Sequence, residues 1–147
     1  IGADRYIDYQ KENYWEVLPE VDHVIDGIGA KEFAHELSVL KKGGRLLSLR
    51  AAPNKQYAER NGFSFFKKWL FAAVGAPYDR KARKQGKEYR FMFARADGEQ
   101  LEKVTRMVEE RHIRPRISPQ VFHLEQTGEA IRFLSQGHTD GKVVIRL

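Results

Sequence analysis

Between Val21 and Leu49 the chain reads as strand, helix, strand with short connections, and that order limits its fold more than any other feature. VDHVIDGIG, from Val21 to Gly29, is an apolar run closed by a glycine turn. Residues 21–25 predict a strand, and the adjacent Val24 and Ile25 suit one covered on both faces. Residues 31–40 predict a helix, because Phe33, Leu37 and Leu40 recur at i, i+4 and i+7 and Ala34 widens the stripe. Lys41 and Lys42 suit the end of that helix, Gly43 a left-handed stop, and RLLSL at 45–49 the next strand. Connections this short leave a parallel sheet with right-handed crossovers.

The rest of the chain extends the pattern. Residues 5–9 (RYIDY) have the aromatic and β-branched content of a strand, and residues 13–18 predict a brief helix closed by Pro19. Residues 51–90 break the rhythm: 62–76 are apolar and amphipathic, and 78–90 carry most of the excess positive charge. Residues 89–94 (YRFMFA) predict a strand. Residues 97–112 predict a helix capped by Asp97, with Gln100 at the reciprocal position and Leu101, Val104 and Val108 on one face. Residues 119–124 suit an extended return, 127–136 a short helix stopped by Gly137, and 142–147 a closing strand.

Composition removes several chemistries. There is no cysteine, which excludes disulfides, zinc-thiolate sites and thiol catalysis and suits a reducing, cytoplasmic setting. His23, His35, His112, His123 and His138 offer no HxxxH pair, so no metal site is predicted, and no G-x-S-x-G elbow supports a serine hydrolase. No apolar run approaches the roughly 18 residues of a membrane-spanning helix. Ile1 stands in place of methionine without a basic-then-apolar leader, from which a start inside a longer gene product is expected. The dinucleotide fingerprint G-x-G-x-x-G is incomplete: Gly27 and Gly29 are present, but its third glycine is Glu32. A carboxylate there can itself occupy the positive helix terminus, so this turn is not expected to cradle a pyrophosphate.

Six segments in order carry a resemblance: GADRYIDY (2–9), VDHVIDGIG, LSVLKKGGRLLSL (37–49), DGEQLEKV (97–104), VFHLEQTGEAIRFL (121–134) and SQGHTDGKVVIRL (135–147). Together the sequence resembles the C-terminal portion of medium-chain dehydrogenase/reductases, in the zinc-independent, NADPH-dependent quinone oxidoreductase-like branch. The resemblance implies an α/β fold, a partial Rossmann-type doubly wound sheet in three αβα layers. It implies residues 1–120 as part of a dinucleotide-binding domain and 121–147 as a return toward a catalytic domain. The glycine loop and the catalytic domain are expected upstream of Ile1, so the isolated chain is expected to bind cofactor poorly and to catalyse nothing.

By the same resemblance, Tyr9 would lie beside the adenosine ribose and its 2′-phosphate, and Asp26, Gly27 and Ile28 would line the adenosine side. Leu49 and Arg50 after one strand, and Phe91, Met92 and Phe93 in the next, would reach toward the nicotinamide, largely through backbone groups. Lys142 would approach the cofactor ribose. Each has a plainer reading: a strand-end tyrosine, a turn needing glycine, core or edge-strand phenylalanines, a solvated lysine. No residue is assigned hydride or proton transfer. The implied activity is NADPH-dependent reduction of a quinone, enone or other carbonyl compound, with a small-molecule substrate and self-association through an edge strand.

Two other readings compete. LKKGGRLLSL also resembles the turn and strand of S-adenosylmethionine-dependent methyltransferases, although the capped helix that follows argues against them. The net charge of +6 is concentrated in Lys67, Lys68, Arg80, Lys81, Arg83, Lys84, Lys87 and Arg90, interleaved with Phe65, Phe66, Trp69, Phe71 and Tyr78. That stretch suits a nucleic-acid surface or an interfacial membrane helix. A cleft-covering or dimer-contact insertion with a solvated basic face is the expectation preferred here, with no nucleic-acid partner.

Overall fold

The computed structural model describes residues 3–137 and 139–147, so Gly2 of the first motif and His138 of the histidine set lie outside the described residues. The chain divides into two compact units, one spanning Arg5–Ala96 and the other containing Asp97–Leu147. The first runs α1 (Tyr14–Val17), β1 (Val21–Asp26), α2 (Phe33–Ser38), β2 (Leu40–Ser48), α3 (Lys55–Arg60), α4 (Phe65–Lys84) and β3 (Glu88–Phe91). Its sheet has the order β1-β2-β3 with both pairs parallel, the α/β arrangement that the strand-helix-strand order predicts.

The core forms where the helical stripe meets alternate strand residues. Phe33, Leu37 and Leu40 are buried as predicted, against Leu46, Ala82 and Tyr89. Phe33 meets Tyr78 and Tyr89 edge-on, with centroids 4.8 and 5.4 Å apart, while Tyr78 and Tyr89 stack at 5.4 Å. Such pairs add about 0.5–1.5 kcal/mol each beyond the burial of their area. Parallel register puts Val24, Leu46 and Tyr89 side by side on this face. On the other face Ile25 is exposed and Arg45 and Arg90 both bond Glu88, at 2.7 and 2.6 Å, so β1 is not covered on both faces as its apolar run predicts.

Other boundaries differ for identifiable reasons. Residues 5–9 form no strand: the Asp8 carboxylate accepts from Gln10 N at 3.1 Å and turns the chain, and no neighbouring strand pairs with the segment. The helix ends at Ser38, and Ala34 is exposed rather than part of the stripe. Lys41, Lys42 and Gly43 therefore belong to β2, inside a register shift between Val21 and His23. The positive φ of Gly43, 84°, serves that irregularity, where its N–H reaches Gly86 O at 2.7 Å, and not a helix stop. β3 ends at Phe91, so Met92 and Phe93 follow the strand rather than forming part of it.

The second unit holds α5 (Gly98–Glu110), β4 (Ile117–His123), a 3₁₀ turn at Leu124–Gln126, α6 (Thr127–Ser135) and β5 (Lys142–Arg146). Asp97 caps α5 as predicted, accepting from Gln100 N at 3.0 Å. β4 and β5 pair in parallel, and Pro119 falls where their register shifts, the position a strand proline tolerates. Phe122 and Ala130 are buried within this unit, and Phe122 meets Phe133 at 5.7 Å.

Candidate functional site

The register Asp26↔Ser48↔Phe91 ends all three parallel strands of the first unit at one level. Open α/β sheets take ligands at this carboxyl edge. Asp26, 1% exposed, organises it. Its Oδ1 accepts from Ile28 N at 2.6 Å and Gly29 N at 2.7 Å, folding the turn after β1 over the strand end. Its Oδ2 accepts from Ser48 Oγ at 2.5 Å. Ser48 Oγ in turn accepts from Ala51 N at 2.8 Å and Arg50 N at 3.2 Å, so one carboxylate ties down the loops after both β1 and β2.

Farther along the second loop, Tyr89 Oη donates to Ala52 O at 2.5 Å and accepts from Ala52 N at 3.1 Å. Burial pushes the Tyr89 phenol up to about 12, so it remains a neutral donor. Asn54, fully buried, caps α3 by accepting from Tyr57 N at 3.1 Å and donates to Asp79 Oδ1 at 2.8 Å.

Beneath the Asp26 turn lies a second acid. Glu36 is 5% exposed on the apolar side of α2. Burial, the neighbouring Asp26 charge and hydrogen bond, and the Glu32 charge push its carboxyl up to about 8. Apart from that contact with Asp26, its buried Oε2 has no hydrogen-bond partner among the described residues. Burial acts on Asp26 in the same direction, but the hydrogen bonds from Ser48, Gly29 and Ile28 and the one with Glu36 outweigh it and hold Asp26 below the usual carboxylate range. At neutral pH the pair is therefore one carboxylate beside one neutral acid.

Asp26, Gly27, Ile28, Leu49, Arg50, Phe91, Met92 and Phe93 are thus gathered at one sheet edge. Leu49 N bonds Asp26 O at 2.9 Å, and Met92 N bonds Ser48 O at 3.0 Å, continuing the ladders past the strand ends. Ile28, Leu49, Met92 and Phe93 form an exposed apolar rim. Gly29, with φ 105°, is the glycine that the turn's backbone requires. Gly27 faces open space, with nothing within 4 Å of an added Cβ, so its turn does not require it. Tyr9 lies exposed in the turn before α1, and Lys142 begins β5 in the other unit.

Sequence reasoning missed Ser48, Glu36 and Tyr89, and named Gly29 only as part of the glycine turn and the incomplete fingerprint. A carboxylate three residues after Phe33, within the buried helical stripe, is the visible signal for Glu36. Glu32 stands at the N-terminus of α2 as expected, but its carboxylate does not bond the helix backbone there. Its side chain makes no cap; its Oε2 accepts from Tyr14 Oη at 3.3 Å and lies 3.2 Å from His35 Nδ1, whose ring stacks on Trp15 at 3.7 Å.

Among the described residues no group of three His, Cys, Asp or Glu side chains is placed to hold a metal ion. No helix of these residues is long and apolar enough to cross a membrane.

Residues 1–145 match the family described as zinc-binding dehydrogenase. A mitochondrial NAD(P)H oxidoreductase of Danio rerio, RTN4IP1, is 30% identical over all of this chain and 38% of its own length. A 2-methylene-furan-3-one reductase of Solanum lycopersicum is 28% identical over 99% of this chain and 29% of its own length. The chain therefore spans well under half the length of these relatives. Among solved structures, a quinone oxidoreductase from Coxiella burnetii superposes with a TM-score of 0.68 at 22% identity, over 99% of this chain and 39% of that one, a likeness of fold. The chain belongs to the zinc-binding dehydrogenase family, within the medium-chain dehydrogenase/reductase superfamily.

Proposed function

We propose that this chain supplies the adenosine-side wall and nicotinamide-side strand ends of a nucleotide-binding domain, in an NADPH-dependent oxidoreductase that reduces a quinone, enone or other carbonyl compound. The observation that carries the reading is the Asp26–Ser48 network, which fixes the loops after β1 and β2 at the ligand-binding edge of a parallel sheet. Family membership supports the cofactor class. The open Cα face of Gly27 leaves room for a ligand against backbone, and Ile28 supplies an apolar surface beside it.

In this reading Asp26, Gly27 and Ile28 line the adenosine side, Tyr9 approaches its ribose, and Lys142 approaches a cofactor ribose. Leu49, Arg50, Phe91, Met92 and Phe93 frame the nicotinamide end. NADPH, when bound, supplies the hydride. This chain's residues position it: Asp26, kept ionised, holds the turn rather than moving a proton, and the apolar rim excludes water. The return of residues 121–147 toward a catalytic domain is supported by the pairing of β5 with β4 rather than with the three-stranded sheet. Among the described residues β3 pairs only with β2, and an edge of that kind suits a symmetric dimer. The cysteine-free composition supports a cytoplasmic setting.

Calorimetric titration of NADPH and NADH into the complete gene product tests the reading. Saturable binding, tighter for NADPH and weakened in Gly27→Val, is the expected result. Binding of neither nucleotide overturns it.

A further inference from the structure

α4 carries a surface that cofactor binding does not use. Phe65, Trp69, Ala72, Ala76, Arg80 and Arg83 recur at three- and four-residue steps, which puts them on one face of a helix about 30 Å long. The aromatics of the segment divide between two sides. Phe71 and Tyr78 turn inward, against Tyr57 and Phe63 and against Phe33 and Tyr89. Phe65, Phe66 and Trp69 turn outward and are 87%, 70% and 63% exposed. Apolar side chains left this open are uncommon on a soluble surface and mark a contact site.

The other half of the same face is cationic. Ala72 and Ala76 floor a groove of about 480 Å³ walled by Lys55, Arg80, Arg83 and Lys84. Its one carboxylate, Asp79, is taken up by Asn54 Nδ2 at 2.8 Å. Among the described residues, none of Arg80, Arg83 and Lys84 has an acidic partner within ion-pair distance. Lys67 and Lys68 flank the aromatic half.

We propose that this face of α4 docks onto an anionic phospholipid bilayer, with Phe65, Phe66 and Trp69 entering the headgroup boundary and Arg80, Arg83 and Lys84 taking the lipid phosphates. Aromatic rings sit well at that depth, and basic side chains are drawn to acidic leaflets. The charge sign selects the partner: a second copy would bring the same uncompensated cations with it. A single nucleic-acid strand needs stacking rings interleaved with phosphate-binding cations. On this face the rings and Arg80, Arg83 and Lys84 occupy opposite halves of the helix, Trp69 and Arg80 being about 16 Å apart along its axis, while Lys67 and Lys68 project to the two sides of the ring face and not between the rings. A membrane surface, offering apolar depth and phosphate across one plane, accepts both.

Co-sedimentation of the full chain with vesicles tests this. Vesicles of roughly 30 mol% phosphatidylserine should retain it at least ~10-fold better than pure phosphatidylcholine, and raising the salt should weaken retention by a similar factor. Both the exposed-ring variant Phe65→Ser/Phe66→Ser/Trp69→Ser and the charge variant Arg80→Glu/Arg83→Glu/Lys84→Glu should lose retention. The control Lys103→Glu/Arg106→Glu, on α5, should keep it. A bromolipid should quench Trp69 in a Trp15→Phe background. No retention on acidic vesicles, or equal loss in the α5 control, overturns the proposal. So does a dimer that the ring variant dissolves without change in vesicle binding, or retention of a single-stranded oligonucleotide in place of vesicles.

Discussion

Ser48 Oγ donates a 2.5 Å hydrogen bond to Asp26 Oδ2, joining the ends of two neighbouring parallel strands through side chains that are both buried. The hydroxyl is also the acceptor for Arg50 N and Ala51 N. Ser48→Ala removes the donor and leaves the carboxylate and two backbone N–H groups short of partners. Unpaired buried groups cost about 1–3 kcal/mol, more when charged. Urea denaturation should show a loss of about 2–3 kcal/mol, and Ser48→Thr, which keeps the hydroxyl, should lose less.

Glu36 makes stability fall with pH. Its folded value of about 8 lies above the ordinary 4.5 of a free glutamate, so between the two the folded state holds a proton that the unfolded chain has released. Its contribution is fully present below the unfolded value, declines as pH rises, and is lost above about 8. The acidic groups acting on it are Asp26 and Glu32, both of which oppose ionisation. Glu36→Gln should remove this decline and exceed the native chain in stability at pH 9 by on the order of a few kcal/mol. Asp26 acts in the opposite sense: its lowered value gives stability that is lost as pH falls into the acid range. Denaturation midpoints across pH 3 to 9, compared with the Glu36 variant, check both signs.

The two turn glycines should separate structure from binding. Gly29→Ala forces a side chain into a φ of 105° and places it 3.4 Å from Arg50, with an expected loss of about 1–2 kcal/mol. Gly27→Ala meets nothing and should leave the melting temperature nearly unchanged. In the complete protein, Gly27→Val should weaken NADPH binding by roughly tenfold, about 1.4 kcal/mol. Thermal melts and calorimetry on the same variants distinguish the two.

Gly75 is required by close approach. A Cβ there would stand 2.5 Å from Asn54 Cβ and 2.6 Å from its Cα, and Asn54 is the buried cap that ties α3 to Asp79 of α4 and to Tyr89 O. Gly75→Ala must push the helix away from the cap. Overpacking costs about 1–3 kcal/mol, more than the gain in helix propensity returns. A lowered urea midpoint with helix content retained is the expected result.

What the sequence made legible was what local pattern determines. Phe33, Leu37 and Leu40 found the core because their spacing follows the helix period, even though Leu40 turned out to open β2. Asp97 found its cap because capping involves residues three apart. Asp26, Leu49 and Phe91 came from the family resemblance and not from local pattern, and parallel register aligns them at one level. Ser48 and Glu36 were not legible, because their role depends on partners 22 and 10 residues away that only the folded sheet brings within reach. Residues 5–9 show the converse: strand-like composition becomes a strand only where a neighbour completes the ladder, and Asp8 offered the backbone a local turn instead.

The central claim is that the Asp26–Ser48 edge faces the cofactor. Hydrogen–deuterium exchange of the complete gene product, with and without saturating NADPH, tests it most directly. Slower exchange confined to peptides covering 26–29, 49–52 and 91–93 is the predicted result. NADPH binding that leaves all three unchanged, or no binding, would contradict it.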